Sequence, residues 1–316
     1  MNILYLCDKK HYDSKMSRVR FHSIDAISKI ESVTIWGNNW PEYDSNMTVQ
    51  ENVDNLGKKF DVVIGYKPLD HKKFCDVDAI RCVRYNEMYD RQWTVSEIMQ
   101  SRANLVVCHH ENDFKEYNSR FQNFKMWPIK FVHIAHCAEQ SVFKDYKMPK
   151  KYDIFLGGAT NGFSLLGRHY PLRDRMLGIM PMIAARGYKC HVHNHPGYDL
   201  NDAHTNKYAI DFAKEINSSK IALTCSGAPK SRFGKYVEIP MCNVAIAADI
   251  PDEDQDNFNK FVIEINMSMS DEEIVDKLVY YLQNDEERAK LASLGAKWSK
   301  SYTHEKYAKR FVSALR

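Results

Sequence analysis

The chain has 316 residues, with 44 basic and 41 acidic side chains, 44% hydrophobic content and 12% aromatic content. That length suits two domains of about 150 residues each, and the apolar content excludes wholesale disorder. A net charge of +3 is too balanced to indicate a nucleic-acid or membrane-surface protein.

The N-terminal MNILYLCDKK carries too short an apolar run for a signal peptide. No stretch approaches the roughly 18 apolar residues of a membrane span, so a soluble, cytoplasmic protein is expected. Eight cysteines are scattered without CxxC spacing, several inside apolar runs. They read as buried free thiols in a reducing compartment.

Short apolar runs at 3–7, 33–36, 62–64, 80–85, 105–108 and 131–134 predict six strands. Helical periodicity at 18–30, 95–102 and 111–121 falls between them. A second series of strands is predicted at 154–156, 190–192, 221–224, 244–247 and 261–265. Alternation of this kind predicts two doubly wound, Rossmann-like α/β domains with parallel sheets. The polar, Pro-containing stretch YKMPKKY at 146–152 reads as the linker, giving domains 1–148 and 149–300. Ser270 with Glu273 forms a capping-box signature, and residues 301–316 read as a final helix, a candidate to cross back to the first domain. In doubly wound sheets ligands sit beyond the carboxyl ends of the strands, which directs attention to the loops there.

The first such loop is IFLGGATNGFSLLGRHYPLRDR at 154–175. Gly157 and Gly158 let backbone approach a phosphate, and the helix starting near Pro171 offers free N–H groups. Arg173 lies on the inward face with Met176, Met180 and Ile183, where a cation opposes the helix dipole. It either meets an anionic ligand or pairs with a carboxylate. Arg168 is a weaker phosphate candidate, and Arg175 reads as a solvated surface residue. The second loop, SGAPKSRFGKYVEIPMCNVAIA at 226–247, supplies Lys230, Arg232, Lys235 and Tyr236. Glu238 shares a helical face with Lys235 and suits the two hydroxyls of a ribose, or else forms a surface ion pair.

On the N-terminal side, DKKHYDSKMSRVR at 8–20 offers His11 and Arg20 as acceptor-side candidates, with a solvated basic turn as the alternative. YNEMYD at 85–90 and CHHE at 108–111 supply Glu87, Asp90, His109 and His110 as acid or base groups, although a histidine at a strand end also serves structurally. HVHNH at 191–195 places three histidines on one side of a strand. No neighbouring cysteine or carboxylate in the sequence completes a tetrahedral set, so no metal is expected there. Asp76 and Asp78 mimic a DxD motif but precede a strand instead of ending one. GxSxG, P-loop and GxGxxG fingerprints are absent, which counts against hydrolases, kinases and dinucleotide oxidoreductases.

The C-terminal half resembles the group-one glycosyltransferases, and most closely their spore-maturation-type branch. The resemblance rests on IFLGG…R, INSSKIALTCSG, SRFGKYVEIPMCNVAIAADIP and IVDKLVYYLQNDEERAKLASLGAKWSKSYTHEKYAKRF. Glu238 falls on the family glutamate expected to bind the donor ribose, and Lys235 falls on its usual arginine. Cys242 matches, while Asn243 replaces a glycine. FVHIAHCAEQSVF at 131–143 resembles the family's interdomain stretch, with Ala135 where proline is common. The resemblance implies a GT-B fold whose two domains face a cleft. It also implies transfer of a sugar from a nucleotide-diphosphate sugar (UDP or GDP) to an acceptor hydroxyl in glycan biosynthesis. No cofactor and no obligate metal would be needed, because basic side chains and helix N-termini neutralise the leaving group. Alternatives within the fold are a DNA-modifying glucosyltransferase or a sugar-nucleotide epimerase. The alternative outside enzymes is a non-catalytic binding module.

Overall fold

The computed structural model describes residues 1–14, 18–122, 127–160, 169–195 and 206–316, the side chains of 14 and 18–21 excepted. Arg168 and the rest of 161–168 lie outside the described residues, as does the side chain of Arg20.

Val- and Ile-rich runs covered on both faces form parallel strands. The first sheet contains β1 (Asn2–Leu6), β2 (Ser32–Trp36), β3 (Val62–Gly65), β4 (Ile80–Tyr85), β5 (Leu105–Cys108) and β6 (Lys130–His133). Their order is β2-β1-β3-β4-β5-β6, every pair parallel. The second sheet contains β7 (Tyr152–Gly157), β8 (Cys190–His193), β9 (Ser219–Leu223), β10 (Ala245–Ala248) and β11 (Ile263–Glu264). Its order is β11-β10-β9-β7-β8, again parallel throughout. β7 and β9 are therefore central, and β8 is an edge. Both sheets correspond to the doubly wound halves expected from the sequence.

Helices connect the strands. In the first set are α1 (Lys9–Ser14), α2 (Arg18–Ser28), α3 (Val49–Asn55), α4 (Arg91–Ser101) and α5 (Glu111–Gln122). The second set comprises α6 (Pro171–Ala185), α7 (Lys207–Asn217), α8 (Lys235–Met241), α9 (Gln255–Phe261), α10 (Asp271–Gln283) and α11 (Asp285–Ser299), and α12 (His304–Leu315) follows. Ser270 caps α10 as the sequence indicates: its side chain accepts from the Glu273 N–H, and Glu273 reaches back to the Ser270 N–H. A second capping box, Thr48 with Glu51 at α3, went unread because that helix carries little apolar periodicity.

The described residues group into two units, one drawn from 1–135 and 304–316, the other from 136–303. The division falls between Ala135 and His136, upstream of the YKMPKKY stretch. That stretch is tied within the second unit: the Met148 N–H and the Lys150 ammonium donate to the side chain and carbonyl of Asn217. α12 groups with the first unit, where it packs on α2 and buries Tyr307, Ala308, Phe311 and Val312. In the second unit α6 buries Met176, Ile179, Met180 and Ile183 against β7, β9 and β10. Each such side chain contributes about 1.5–3 kcal/mol by leaving water. This packing fixes the start of α6 at the carboxyl end of the central strands.

Candidate functional site

β7 ends at Gly157, and the two glycines that follow each other there do different jobs. A Cβ on Gly157 would lie 2.7 Å from the Phe212 ring and 2.8 Å from that of Phe155, so ring packing demands its small size. Gly158 has φ +110°, a backbone conformation that side chains disfavour. A Cβ on it would lie 2.6 Å from Lys235 Cε and 3.0 Å from Arg173 Nη1. Two cations from different helix N-termini therefore converge on one bare stretch of backbone.

Arg173 is 3% exposed, on the inward face of α6 as its position on the helical wheel indicates. Its Nη1 donates to the Ala159 carbonyl at 2.6 Å and its Nη2 to Thr224 Oγ1 at 3.3 Å. The guanidinium stacks 4.1 Å from the Tyr170 ring centroid. Both acceptors are neutral, and Nε is buried without a partner. Among the described residues no carboxylate comes within ion-pair distance of this arginine. A buried, unneutralised guanidinium is costly unless an anion joins it. Of the two sequence readings for Arg173, the carboxylate partner is the one the structure does not provide.

Lys235 opens α8, with its ammonium 4.3 Å from the Phe212 ring centroid and 3.4 Å from Glu238 Oε2. Although its side chain is only partly covered, burial and then the Arg173 charge lower its pKa, against the pull of Glu238. His195 lies within reach of the same two cations. Burial first, then Lys235 and Arg173, push its pKa down to about 4 and keep it neutral. His169, buried beside Arg173, is lowered by burial first and then by the Arg173 charge. Sequence reading missed His169, Tyr170 and Thr224. The HVHNH alternation drew attention to His195 only as a metal-ligand candidate that was set aside, and not as a neighbour of the cation pair.

Other basic residues of the second loop do not join this cluster. Lys230 pairs with Asp249 at 2.9 Å. Arg232 is 1% exposed, donates from Nε to Glu253 at 2.7 Å and stacks 4.1 Å from the Tyr302 ring centroid. Its charge is paired with that of Glu253. Tyr236 is buried with its hydroxyl donating to the Asp249 carbonyl at 2.6 Å, so it braces the loop. Arg175, expected to be solvated, pairs with Asp271 at 2.6 Å and donates to the Met267 and Met269 carbonyls.

In the first unit, Asp90 caps α4 by accepting from the Trp93 N–H at 2.9 Å. His109 is fully buried, its Nδ1 2.8 Å from the Ile134 carbonyl, and burial holds its pKa well below the usual histidine value. Both have structural work. Glu87 is exposed, yet desolvation by the surrounding protein pushes its carboxyl up toward about 7. Its open surface argues for a smaller rise than a fully buried carboxyl would show. His11 sits in α1, edge-on to Tyr66 at 6.0 Å.

Residues 175–313 match the family model described as glycosyl transferase-like. Solved structures with the same architecture include HepE of Anabaena in complex with UDP and glucose. That match has TM-score 0.63 at 10% identity and covers 100% of this chain and 99% of that one. A glycosyltransferase from Rickettsia africae matches with TM-score 0.62 at 11% identity, over 99% of this chain and 97% of that one. The sucrose-phosphate synthase of Thermosynechococcus elongatus matches with TM-score 0.60 at 9% identity, over 99% and 98%. The chain has the GT-B fold of these glycosyltransferase structures. No curated protein matches its sequence. The family-matched segment carries Lys235 and Glu238, while Gly158 and Arg173 lie before it. Among the described residues, no helix is long and apolar enough to cross a membrane.

Proposed function

We propose that the protein transfers a sugar from a nucleoside-diphosphate sugar, UDP- or GDP-linked, to an acceptor hydroxyl in glycan synthesis. The observation that carries this reading is the buried Arg173, given no carboxylate by any described residue and meeting Lys235 over Gly158. As the bond between the anomeric carbon and the β-phosphate oxygen breaks, negative charge collects on the diphosphate. Arg173 and Lys235 stabilise that charge as fixed, pre-oriented donors, the role a divalent metal plays in other transferases. Glu238 accepts from the ribose hydroxyls. The match to the family model and the likeness to a protein that binds UDP and glucose support the donor class.

A thermal-shift screen against UDP, GDP, ADP, CMP and dTDP, with and without Mg²⁺, tests this. One diphosphate at about 100 times its dissociation constant should stabilise the chain by about 2.7 kcal/mol without metal. Glu238→Ala should weaken that nucleotide and leave inorganic pyrophosphate unaffected, because pyrophosphate has no ribose. No shift with any nucleotide would overturn the reading.

The acceptor hydroxyl must lose a proton, and Glu87, a carboxylate in the loop that follows β4, is the base we assign. Glu87→Gln should lower kcat by about 100-fold or more and abolish the acid limb of the pH–rate profile, with donor affinity retained. A variant with full kcat would remove Glu87 from the mechanism.

A further inference from the structure

We propose that His191, His193 and Glu215 form a binding site for a divalent transition metal of the zinc class. The period-two alternation of β8 puts both histidines on one face of the edge strand, and α7 brings a carboxylate to them. Local sequence offers no such carboxylate. Glu215 arrives from more than twenty positions further along, so only the fold completes the set. His193 Nδ1 lies 2.7 Å and His191 Nε2 lies 3.0 Å from the same oxygen, Glu215 Oε2. The three ligand atoms all lie within 4.8 Å of one another.

Tetrahedral zinc bonds of about 2.0–2.1 Å place neighbouring ligand atoms about 3.3 Å apart. The two nitrogen–oxygen separations, 2.7 and 3.0 Å, reach that value by opening about 0.6 and about 0.3 Å. The surroundings also orient the rings. His193 Nε2 lies 2.8 Å from the Tyr208 hydroxyl. When Nδ1 gives its lone pair to a metal, Nε2 carries the proton and donates it to that oxygen, as outer-shell partners of metal-bound histidines do. The His191 ring is stacked on Tyr152, with centroids 4.3 Å apart and planes 10° apart. Side-chain exposures of 28%, 16% and 37% for His191, His193 and Glu215 leave a path for the ion and room for water as a fourth ligand. Two imidazoles and one carboxylate favour Zn²⁺ or Co²⁺ over Mg²⁺, which prefers all-oxygen ligands.

The test uses the full chain stripped with EDTA and titrated with Co²⁺, followed by visible d–d absorption. The expected result is a saturable band at about one ion per chain, bleached by Zn²⁺ and untouched by Mg²⁺. His193→Ala and Glu215→Gln should each lose the band. Tyr208→Phe, which leaves every ligand in place, should keep the stoichiometry and weaken Co²⁺ by about 10-fold or more. The proposal is overturned by the absence of a saturable band, or by a band that Mg²⁺ removes. It is equally overturned if the ligand variants keep the wild-type band. Should those variants fail to fold, unchanged affinity in Tyr208→Phe decides against it. No nucleotide enters the experiment, so its outcome is independent of the donor site.

Discussion

Arg173→Met should weaken binding of the stabilising nucleoside diphosphate by about 100-fold, the equivalent of about 3 kcal/mol in charge-assisted hydrogen bonds. The free protein should lose little stability. Methionine fills similar space against the Tyr170 ring, and it removes a buried charge to which no described residue brings a carboxylate. The cost is the two neutral acceptors, Ala159 O and Thr224 Oγ1, left without this donor. The contrast with Arg232 makes the experiment decisive. Arg232→Met strands Glu253 inside the protein, and breaking such a buried pair destabilises by about 3–5 kcal/mol. Calorimetry of nucleotide binding and urea unfolding of both variants would show the two effects separating. If Arg173→Met instead unfolds readily and still binds the diphosphate, Arg173 is a structural residue and the anion lies elsewhere.

Acidification should destabilise the first unit steeply. His71 is 2% exposed, and burial lowers its pKa from 6.5 to about 4. His109 and His304, 0% and 2% exposed, are held well below 6.5 by burial. The Arg84 charge adds to this at both, after the neighbouring His22 at His304. The groups around them come from several elements: His22 on α2, Arg84 on β4 and Tyr307 on α12. In the unfolded chain these histidines take protons near pH 6.5, whereas the folded chain refuses them until the pH is much lower. The unfolded state therefore binds more protons in that window, and stability is full above it and declines as pH falls. Each such histidine contributes about 1.4 kcal/mol per pH unit, and three together about 4 kcal/mol per unit. That is a large part of a typical domain's total stability of about 5–15 kcal/mol. Hydrogen exchange at the amides of β1, β3 and β5, measured at about pH 7 and about pH 5, resolves the unit concerned. A His109→Gln, His304→Phe double variant should flatten the slope, and an unchanged slope would refute this account.

Much of the architecture was legible because it depends on local signals. The apolar runs at 80–85 and 105–108 became β4 and β5 with the expected bounds, and Ser270 with Glu273 capped α10 as read. The inward position of Arg173 followed from helical spacing alone. What could not be read was which charges were already neutralised. Lys230, Arg232 and Lys235 fall within positions 230–235 and look alike in the sequence. Asp249 and Glu253, on the far side of a helix and a strand, take the first two, and only Lys235 reaches Gly158. Glu215 is the same case in reverse, a carboxylate that becomes a neighbour of His191 and His193 only through sheet and helix packing.

The grouping of α12 with the first unit has a consequence for biosynthesis. A ribosome delivers β1 to β6 early, but the helix that covers α2 emerges only after the whole second sheet has been made. Until then the surface that receives Tyr307, Phe311 and Val312 stays uncovered on a nascent chain more than two hundred residues long. A premature stop just before His304 would release a product whose second unit is whole and whose first unit is not. Such a product should be a substrate for chaperones and proteases even though every residue of its sheets is present.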